Sequence, residues 1–386
     1  MKILICGDYI VYGKLNSKIN NIFGEFNDIV KESDIAIYNQ EFPVTDSKDI
    51  YITKKYGLLA KSDPDAIRPL AEAGFNYATL ANNHIFNYGI KGLKDTINNL
   101  NNIGIQYFGA GENISDANRI HYVDKNGIKI AFLNFAENEY NTASDNHGGA
   151  NPLDIINVVN QIKLAQEKAN YIFLIIHGGI DYCKIPSPRM VKMYRHFAEY
   201  GVTAIIGHHS HVVSGYEIYK NVPIFYGIGN FIPGKIVNED CLYSFPVQFI
   251  IDTTGKITFR GYPLKYNIEK QQLEMLRGDS LVTFENQQYN ISILLKDINM
   301  LKTKLMEEYL NIERESYYFT LFTQSNYFLF KVFRKLSLLS IYHKYLKWKI
   351  RMNRKNSILW NLFRCETHND VLDLIYEKHI DTYKND

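Results

Sequence analysis

The chain has 386 residues, 46% hydrophobic and 22% charged. That is ordinary globular composition, long enough for one large domain plus an appendage. A net charge of +2 speaks against nucleic-acid binding through bulk charge. The four cysteines (Cys6, Cys183, Cys241 and Cys365) lie far apart in no CxxC or CxH pattern, which speaks against a disulfide framework or a thiolate zinc site.

The N-terminus, MKILICGDYI, lacks the long apolar region and small-residue cleavage site of a signal peptide. No run of about 18 apolar residues occurs anywhere, so no spanning helix is predicted and the expected location is the cytoplasm. Short apolar runs predict strands at Ile3–Cys6, Ile35–Tyr38, Tyr77–Leu80, Lys129–Phe135, Tyr171–Ile176 and Thr203–Ile206. Ile224–Tyr226, Val247–Ile251 and Lys256–Arg260 follow. Helices with readable ends lie between the earlier strands. Asp63-Pro64 opens one that Gly74 closes. Ile90, Leu93, Ile97, Leu100 and Ile103 recur at helical spacing before Gly104. A third starts at Pro188, carries Val191, Tyr194 and Phe197 on its apolar face, and stops at Gly201. Alternating strands and helices predict an α/β fold, and the helix-free later strands predict a second, partly antiparallel sheet.

After about residue 265 glutamine, lysine, leucine and tyrosine dominate, so residues 266–386 read as a mainly helical C-terminal region behind a domain of residues 1–265. Ile291–Leu310 has helical periodicity. Lys331–Lys355 holds nine Lys or Arg and no acid, with Val332, Leu336, Leu339, Tyr342, Leu346 and Ile350 near helical spacing. One reading is an interfacial helix on anionic lipid, with Tyr345 and Trp348 near the headgroups. The other is a helix packed on the main domain or a partner, showing a solvated basic face.

Polar residues gather just after the strands. The first runs into Asp8, the second into Asn39 and Glu41, the third into Asn82, Asn83 and His84. Tyr171–Ile176 runs into His177 and Asp181, and Thr203–Ile206 into His208, His209 and His211. Taken singly, each has an ordinary structural reading as a turn, cap or core residue. Together they bring carboxylate, carboxamide and imidazole groups to one edge of the sheet, where open α/β folds bind ligands. That set suits one or two divalent ions (manganese, zinc or iron), with Glu41 placed to bridge a pair. His209 and His211 share a side if their loop is extended. GAGEN at 109–113 reads as a structural turn, because a lone GxG lacks the dinucleotide-binding context.

These residues sit in motifs that resemble the CapA family of bacterial capsule and poly-γ-glutamate synthesis proteins. The motifs are GDYIVYG (7–13), NQEFPVT (39–45), LANNHIFNYGIKGL (80–93), FGAGEN (108–113), HGGIDY (177–182), GHHSHVVSGYEIY (207–219) and IFYGIGNF (224–231). They run in family order across roughly residues 1–265, and the C-terminal region lies outside the resemblance. The family is similar in fold to calcineurin-like metallophosphoesterases, which implies a four-layer α/β/β/α sandwich. The resemblance implies Asp8, Glu41, Asn83, His177, His209 and His211 as metal ligands, with His84 assisting a leaving oxygen. Adjacency to Gly207 favours His208 as the ligand, whereas spacing from His211 favours His209. With His209 as ligand, His208 is expected to face substrate together with Asn39, Asn82, Asp181 and Asn230. Three departures stand out. Ile10 occupies the place of a usual histidine ligand, Asn87 that of an aspartate, and Gly178 that of a tryptophan, which is expected to widen the site.

The leading expectation is a cytoplasmic metal-dependent hydrolase of the metallophosphoesterase type, acting on a phosphorylated or anionic polymer precursor in surface-polymer synthesis, with no nucleic-acid partner. The alternative is a non-catalytic or amide-acting accessory subunit. It would bind an anionic polymer in the metal cleft and dock on a membrane-bound polymer synthase through 331–355.

Overall fold

The computed structural model describes residues 1–13, 21–48, 50, 59–138, 141–234, 236–309 and 327–352. One sheet runs β16 (Ile257–Gly261), β15 (Val247–Ile251), β1 (Lys2–Tyr9), β2 (Ile35–Gln40), β3 (Tyr77–Thr79), β4 (Gln106–Phe108), with β13 (Asn230–Ile232) also pairing with β1. The other runs β11 (Tyr216–Tyr219), β12 (Val222–Phe225), β10 (Ala204–His208), β9 (Tyr171–His177), β7 (Ile128–Ala136), β6 (His121–Lys125). Two small sheets complete the set: β14 (Tyr243–Ser244), β17 (Leu264–Asn267) and β18 (Gln272–Met275), and the pair β5 (Ala110–Gly111) and β8 (Gly149–Ala150).

Alternation along the strands builds the layers. Ile3, Ile5, Ile35 and Ile37 from the first sheet meet Phe132, Phe173, Ile175, Ile206 and Phe225 from the second in one buried cluster. Leu4, Cys6, Ala36 and Tyr38, on the opposite face, pack with α1 (Phe26–Lys31), α2 (Arg68–Ala73) and α3 (Gly89–Asn102) through Phe26, Val30, Leu70, Leu93 and Leu100. Beyond them in sequence lies the short α4 (Ile114–Ala117), capped by the Asn113 side chain. On the far side of the second sheet, α5 (Ile155–Gln166) buries Val158 and Ile162, and α6 (Pro188–Ala198) buries Val191, Tyr194 and Phe197. The result is the expected four-layer α/β/β/α sandwich. β1, β2, β3, β4 and β13 run parallel, as do β7, β9, β10 and β12, so the carboxyl ends of each set share an edge.

The late strands are distributed differently from expectation. β15 and β16 complete the first sheet as antiparallel strands beside β1, while β11 and β12 extend the second. A periodicity shows which face of a strand is buried but not which neighbour it pairs with.

The first compact unit runs Met1–Lys304, past the compositional change near 265. The reason is packing. α7 (Gly278–Leu294) buries Phe284 and Ile291, and Arg195 of α6 donates to the Leu295 carbonyl at 2.7 Å while pairing with Glu217 of β11 at 2.8 Å. The helix expected over 291–310 is split into α7 and α8 (Ile298–Tyr309), because the Asp297 carboxylate accepts from the Asn299 and Met300 N–H groups and starts a new helix. In the second unit the basic stretch forms two helices, Tyr327–Lys335 and Leu339–Met352, separated by a turn with Ser337 at φ 56°. Residues 353–355 of that stretch lie outside the described residues.

Candidate metal centre

The parallel strands of both sheets deliver their ends to one buried cluster. Gly7 lets β1 approach β13 closely: a Cβ there would lie 1.8 Å from the Gly229 carbonyl oxygen. The next residue, Asp8, sits opposite Asn39 and Asn230.

Asn39 organises the carboxylates. Its Nδ2 donates to Asp8 Oδ1 and to Glu41 Oε2, each at 2.7 Å. Each acid is thus tied through one oxygen, leaving the other for the histidines. Asp8 Oδ2 accepts from the His209 backbone N–H at 3.2 Å and lies 3.5 Å from His211 Nδ1. Glu41 Oε1 lies 3.6 Å from His177 Nε2 and 3.8 Å from His84 Nε2. Glu41 is 0% exposed, and Oε1 has no hydrogen-bond partner among the described residues.

Around His177 Nε2 the donor atoms converge. His209 Nδ1 is 3.1 Å away, Asn83 Oδ1 3.2 Å and Glu41 Oε1 3.6 Å. Tetrahedral ligands about 2.0–2.2 Å from one ion stand about 3.4 Å apart, so these spacings fit a cation among the four groups. An orphaned, fully buried carboxylate oxygen in the same place is the second indication, since such an atom is costly unless a cation satisfies it. A second set of potential ligands, Asp181, His209 and His211, adjoins it, with His209 Nε2 3.3 Å from Asp181 Oδ1.

Protonation follows this crowding. Burial and the Asp8 charge push the Glu41 carboxyl well above the ordinary range. Burial opposes ionisation of Asp8 too, yet the bond to His211 and the neighbouring imidazoles hold its carboxyl below the usual value. Burial also disfavours the His211 cation, but the bond to Asp8 and the charges of Glu41, Asp8 and Asp181 push it up to about 10. His177 is held well below the ordinary value, chiefly by burial and then by His209, which keeps it neutral as a ligand must be.

Four of the residues expected to face substrate are buried. His208 is the last residue of β10 and 1% exposed, beside Asp8; among the described residues neither ring nitrogen makes a well-formed hydrogen bond, and burial lowers the ring's affinity for a proton. Asn39 is spent on Asp8 and Glu41. The Asn82 amide donates to the Gln40 carbonyl, and its oxygen accepts from the His84 and Ile85 N–H groups. Asn230 faces His211 and donates to the Cys241 carbonyl. Of the five, only Asp181 opens to solvent, with 54% of its side chain exposed. His209 and His211 do lie together, ring centroids 5.9 Å apart, but their backbones are left-handed (φ 86° and 59°), not extended.

Residues 2–235 match the family described as bacterial capsule synthesis protein PGA_cap. The chain belongs to that family. It is 32% identical over 218 residues to the capsule biosynthesis protein CapA of Bacillus anthracis, covering 55% of this chain and 53% of that one. It is 30% identical over 301 residues to the PGA biosynthesis protein CapA of Bacillus subtilis (strain 168), covering 77% of each. The chain therefore spans about half the length of the first relative and about three-quarters of the second. A hypothetical protein from Thermus thermophilus superposes with a TM-score of 0.45 at 14% identity, covering 69% of this chain and 99% of that one.

Packing decides several features of this PGA_cap chain. Ile10 is 5% exposed and packs with Phe42 and Ala60, so an apolar cluster fills the place of an expected histidine. Gly178 does not widen the site: a Cβ there would meet Glu137 Cγ at 2.5 Å, and Glu137 holds the Gly179 N–H and pairs with Arg189. Asn134 accepts from the Ala81 N–H at 2.8 Å and donates to the Ile175 carbonyl, tying the loop of Asn83 and His84 to β9. Asn87 engages His84 Nδ1 at 3.0 Å and is itself held by Asn141. The one available signal was that Glu137 follows strand β7 as the other site residues follow theirs. GAGEN has a structural role but is not a turn: Gly109 bends at φ +94° against Asn134, Ala110–Gly111 forms β5, and Asn113 caps α4.

Proposed function

We propose that this PGA_cap chain serves capsule or poly-γ-glutamate synthesis as a metal-dependent phosphoester hydrolase acting on a phosphorylated or anionic polymer precursor. The observation that carries the reading is the convergence of His209, Asn83 and the orphaned Glu41 oxygen on His177 Nε2. In this reading Glu41, Asn83, His177 and His209 hold one divalent ion, manganese, zinc or iron, and Asp8, His211 and Asp181 form the adjoining half. A bound divalent ion supplies Lewis acidity and a nucleophilic water at neutral pH. Asn39 fixes the spacing of the two acids. His84 is oriented through Nδ1 by Asn87 and presents Nε2 beside Glu41, where it hydrogen-bonds the departing oxygen. Asp181, at the exposed rim, meets the substrate or completes the second ligand set.

A second reading is a non-catalytic or amide-acting accessory subunit that binds an anionic polymer in the cleft. Ile10 favours it, because the apolar cluster leaves the Asp8 half one ligand short. Metal analysis of purified protein, followed by a phosphomonoester and phosphodiester panel with His209→Ala and Asp8→Ala, separates the two. Metal-dependent turnover lost in both variants supports the hydrolase. Bound metal with no turnover supports the accessory role, and no metal uptake at all removes the hydrolase.

A further inference from the structure

The helices Tyr327–Lys335 and Leu339–Met352 of the C-terminal unit have their own small core: Phe330, Tyr342 and Leu346 are buried, with Phe333 and Leu339 packed against them. That core uses only part of the apolar arc of Leu339–Met352. Leu338, Ile341, Tyr345 and Trp348 follow one another at i, i+3, i+7 and i+10, a single stripe beside the buried one, and all four are exposed. Ile341 and Trp348 are 56% and 58% exposed. Leu336, in the turn between the helices, is 60% exposed and adds to the patch. Exposed Lys344 and Lys347 border the stripe, and Lys331, Arg334 and Lys335 are exposed on the first helix. No acidic residue occurs between Tyr327 and Lys355.

An apolar stripe ending in tyrosine and tryptophan and edged by lysines has the composition of a helix lying in the headgroup layer of a bilayer. The two helices of this hairpin, 9 and 14 residues long, are too short to span a bilayer, so the hairpin's contact is peripheral. We propose that the Tyr327–Met352 hairpin docks on an anionic lipid surface, with Ile341, Tyr345 and Trp348 entering the interface and Lys335 and Lys344 on lipid phosphates. Positive charge without any acid favours an anionic surface over a neutral one. The exposed aromatic and aliphatic stripe favours lipid over a soluble polyanion, which offers nothing for it to bury.

The test uses the full chain and vesicles of phosphatidylcholine with about one-quarter phosphatidylglycerol, against phosphatidylcholine alone. Trp348 and Trp360 are the two tryptophans, so a Trp360→Phe background reports Trp348 alone. The expected result is cosedimentation with anionic vesicles and a blue shift of Trp348 emission. Replacing Lys335 and Lys344 by Glu weakens binding by at least about 25-fold, taking about fivefold per basic residue. Replacing Ile341, Tyr345 and Trp348 by Ser abolishes cosedimentation, with helix content followed by circular dichroism. The charge-reversed protein decides the matter if the serine variant misfolds. Four results overturn the proposal: no binding of the wild type at low salt, unchanged binding in the charge-reversed variant, binding to soluble poly-γ-glutamate but not to vesicles, or a lipid-independent dimer that buries Trp348.

Discussion

Glu41→Gln separates a metal ligand from a structural acid. The amide keeps the bond accepted from Asn39 and removes a carboxyl whose ionisation burial and Asp8 both oppose. Metal-free Glu41→Gln protein is therefore expected to be as stable as wild type or more so at neutral pH. The metal-loaded state behaves oppositely. An ion at a hundred times its Kd stabilises the fold by about 2.7 kcal/mol, and a hundredfold loss of affinity leaves about 0.4 kcal/mol. Disturbing groups that merely support a ligand costs about 10–100-fold, so removing a charged ligand itself lies at or beyond the upper figure. At about 2–4 °C per kcal/mol for a domain of this order of size, a shift of about 5–10 °C in wild type falls to about 1–2 °C in the variant. Thermal unfolding of chelator-stripped protein, with and without manganese or zinc, reads both quantities. Equal metal-induced shifts in the two proteins would refute the ligand assignment. A metal-free variant weaker than wild type by more than about 2 kcal/mol would show that Glu41 holds the fold instead.

His211 is pushed up to about 10, so at neutral pH it carries a proton that an incoming ion must displace. Calorimetry in buffers of different ionisation enthalpy should show proton release from the metal-free protein, with affinity rising as pH rises toward that value; a buffer-independent heat would contradict this. The same raised value stabilises the metal-free fold fully below about 6.5, and that contribution is lost as pH rises through about 10, which pH-dependent chemical unfolding tracks. Asn39→Leu removes the donor between two buried acids and should cost about 2–4 kcal/mol in urea unfolding; a neutral effect would mean the acids do not depend on it. His208→Ala should destabilise by about 2–4 kcal/mol yet keep full metal stoichiometry, whereas His209→Ala loses metal; the reverse pattern would exchange their roles. Gly7→Ala forces a Cβ to within 1.8 Å of the Gly229 carbonyl oxygen, so it should cost more than about 2 kcal/mol and weaken metal uptake through Asp8.

The sequence by itself determined the secondary-structure alternation and the polar residues that end the strands. Both are local: apolar spacing records which side of an element is buried, and a strand's carboxyl end follows from where its apolar run stops. On that basis Asp8, Asn39, Glu41, Asn82, Asn83, His84, His177, Asp181, His208, His209 and His211 gather at one edge, and only the family resemblance narrows them to Asp8, Glu41, Asn83, His177, His209 and His211 as ligands. The tertiary structure decided how they meet. His208 and His209 are neighbours in the chain, but the end of β10 sends the first ring into the buried layer beside Asp8 and a left-handed turn brings the second against His177. Asn39 reads as a polar strand-end residue and proves to be the donor shared by two acids. Glu137 takes the room left at Gly178, and the apolar cluster of Ile10, Phe42 and Ala60 takes that of a missing histidine. These outcomes depend on partners far apart in sequence, such as the His209 N–H and Asp8, 201 residues away. Local patterning carries no record of register between distant strands, and register is what places each donor atom.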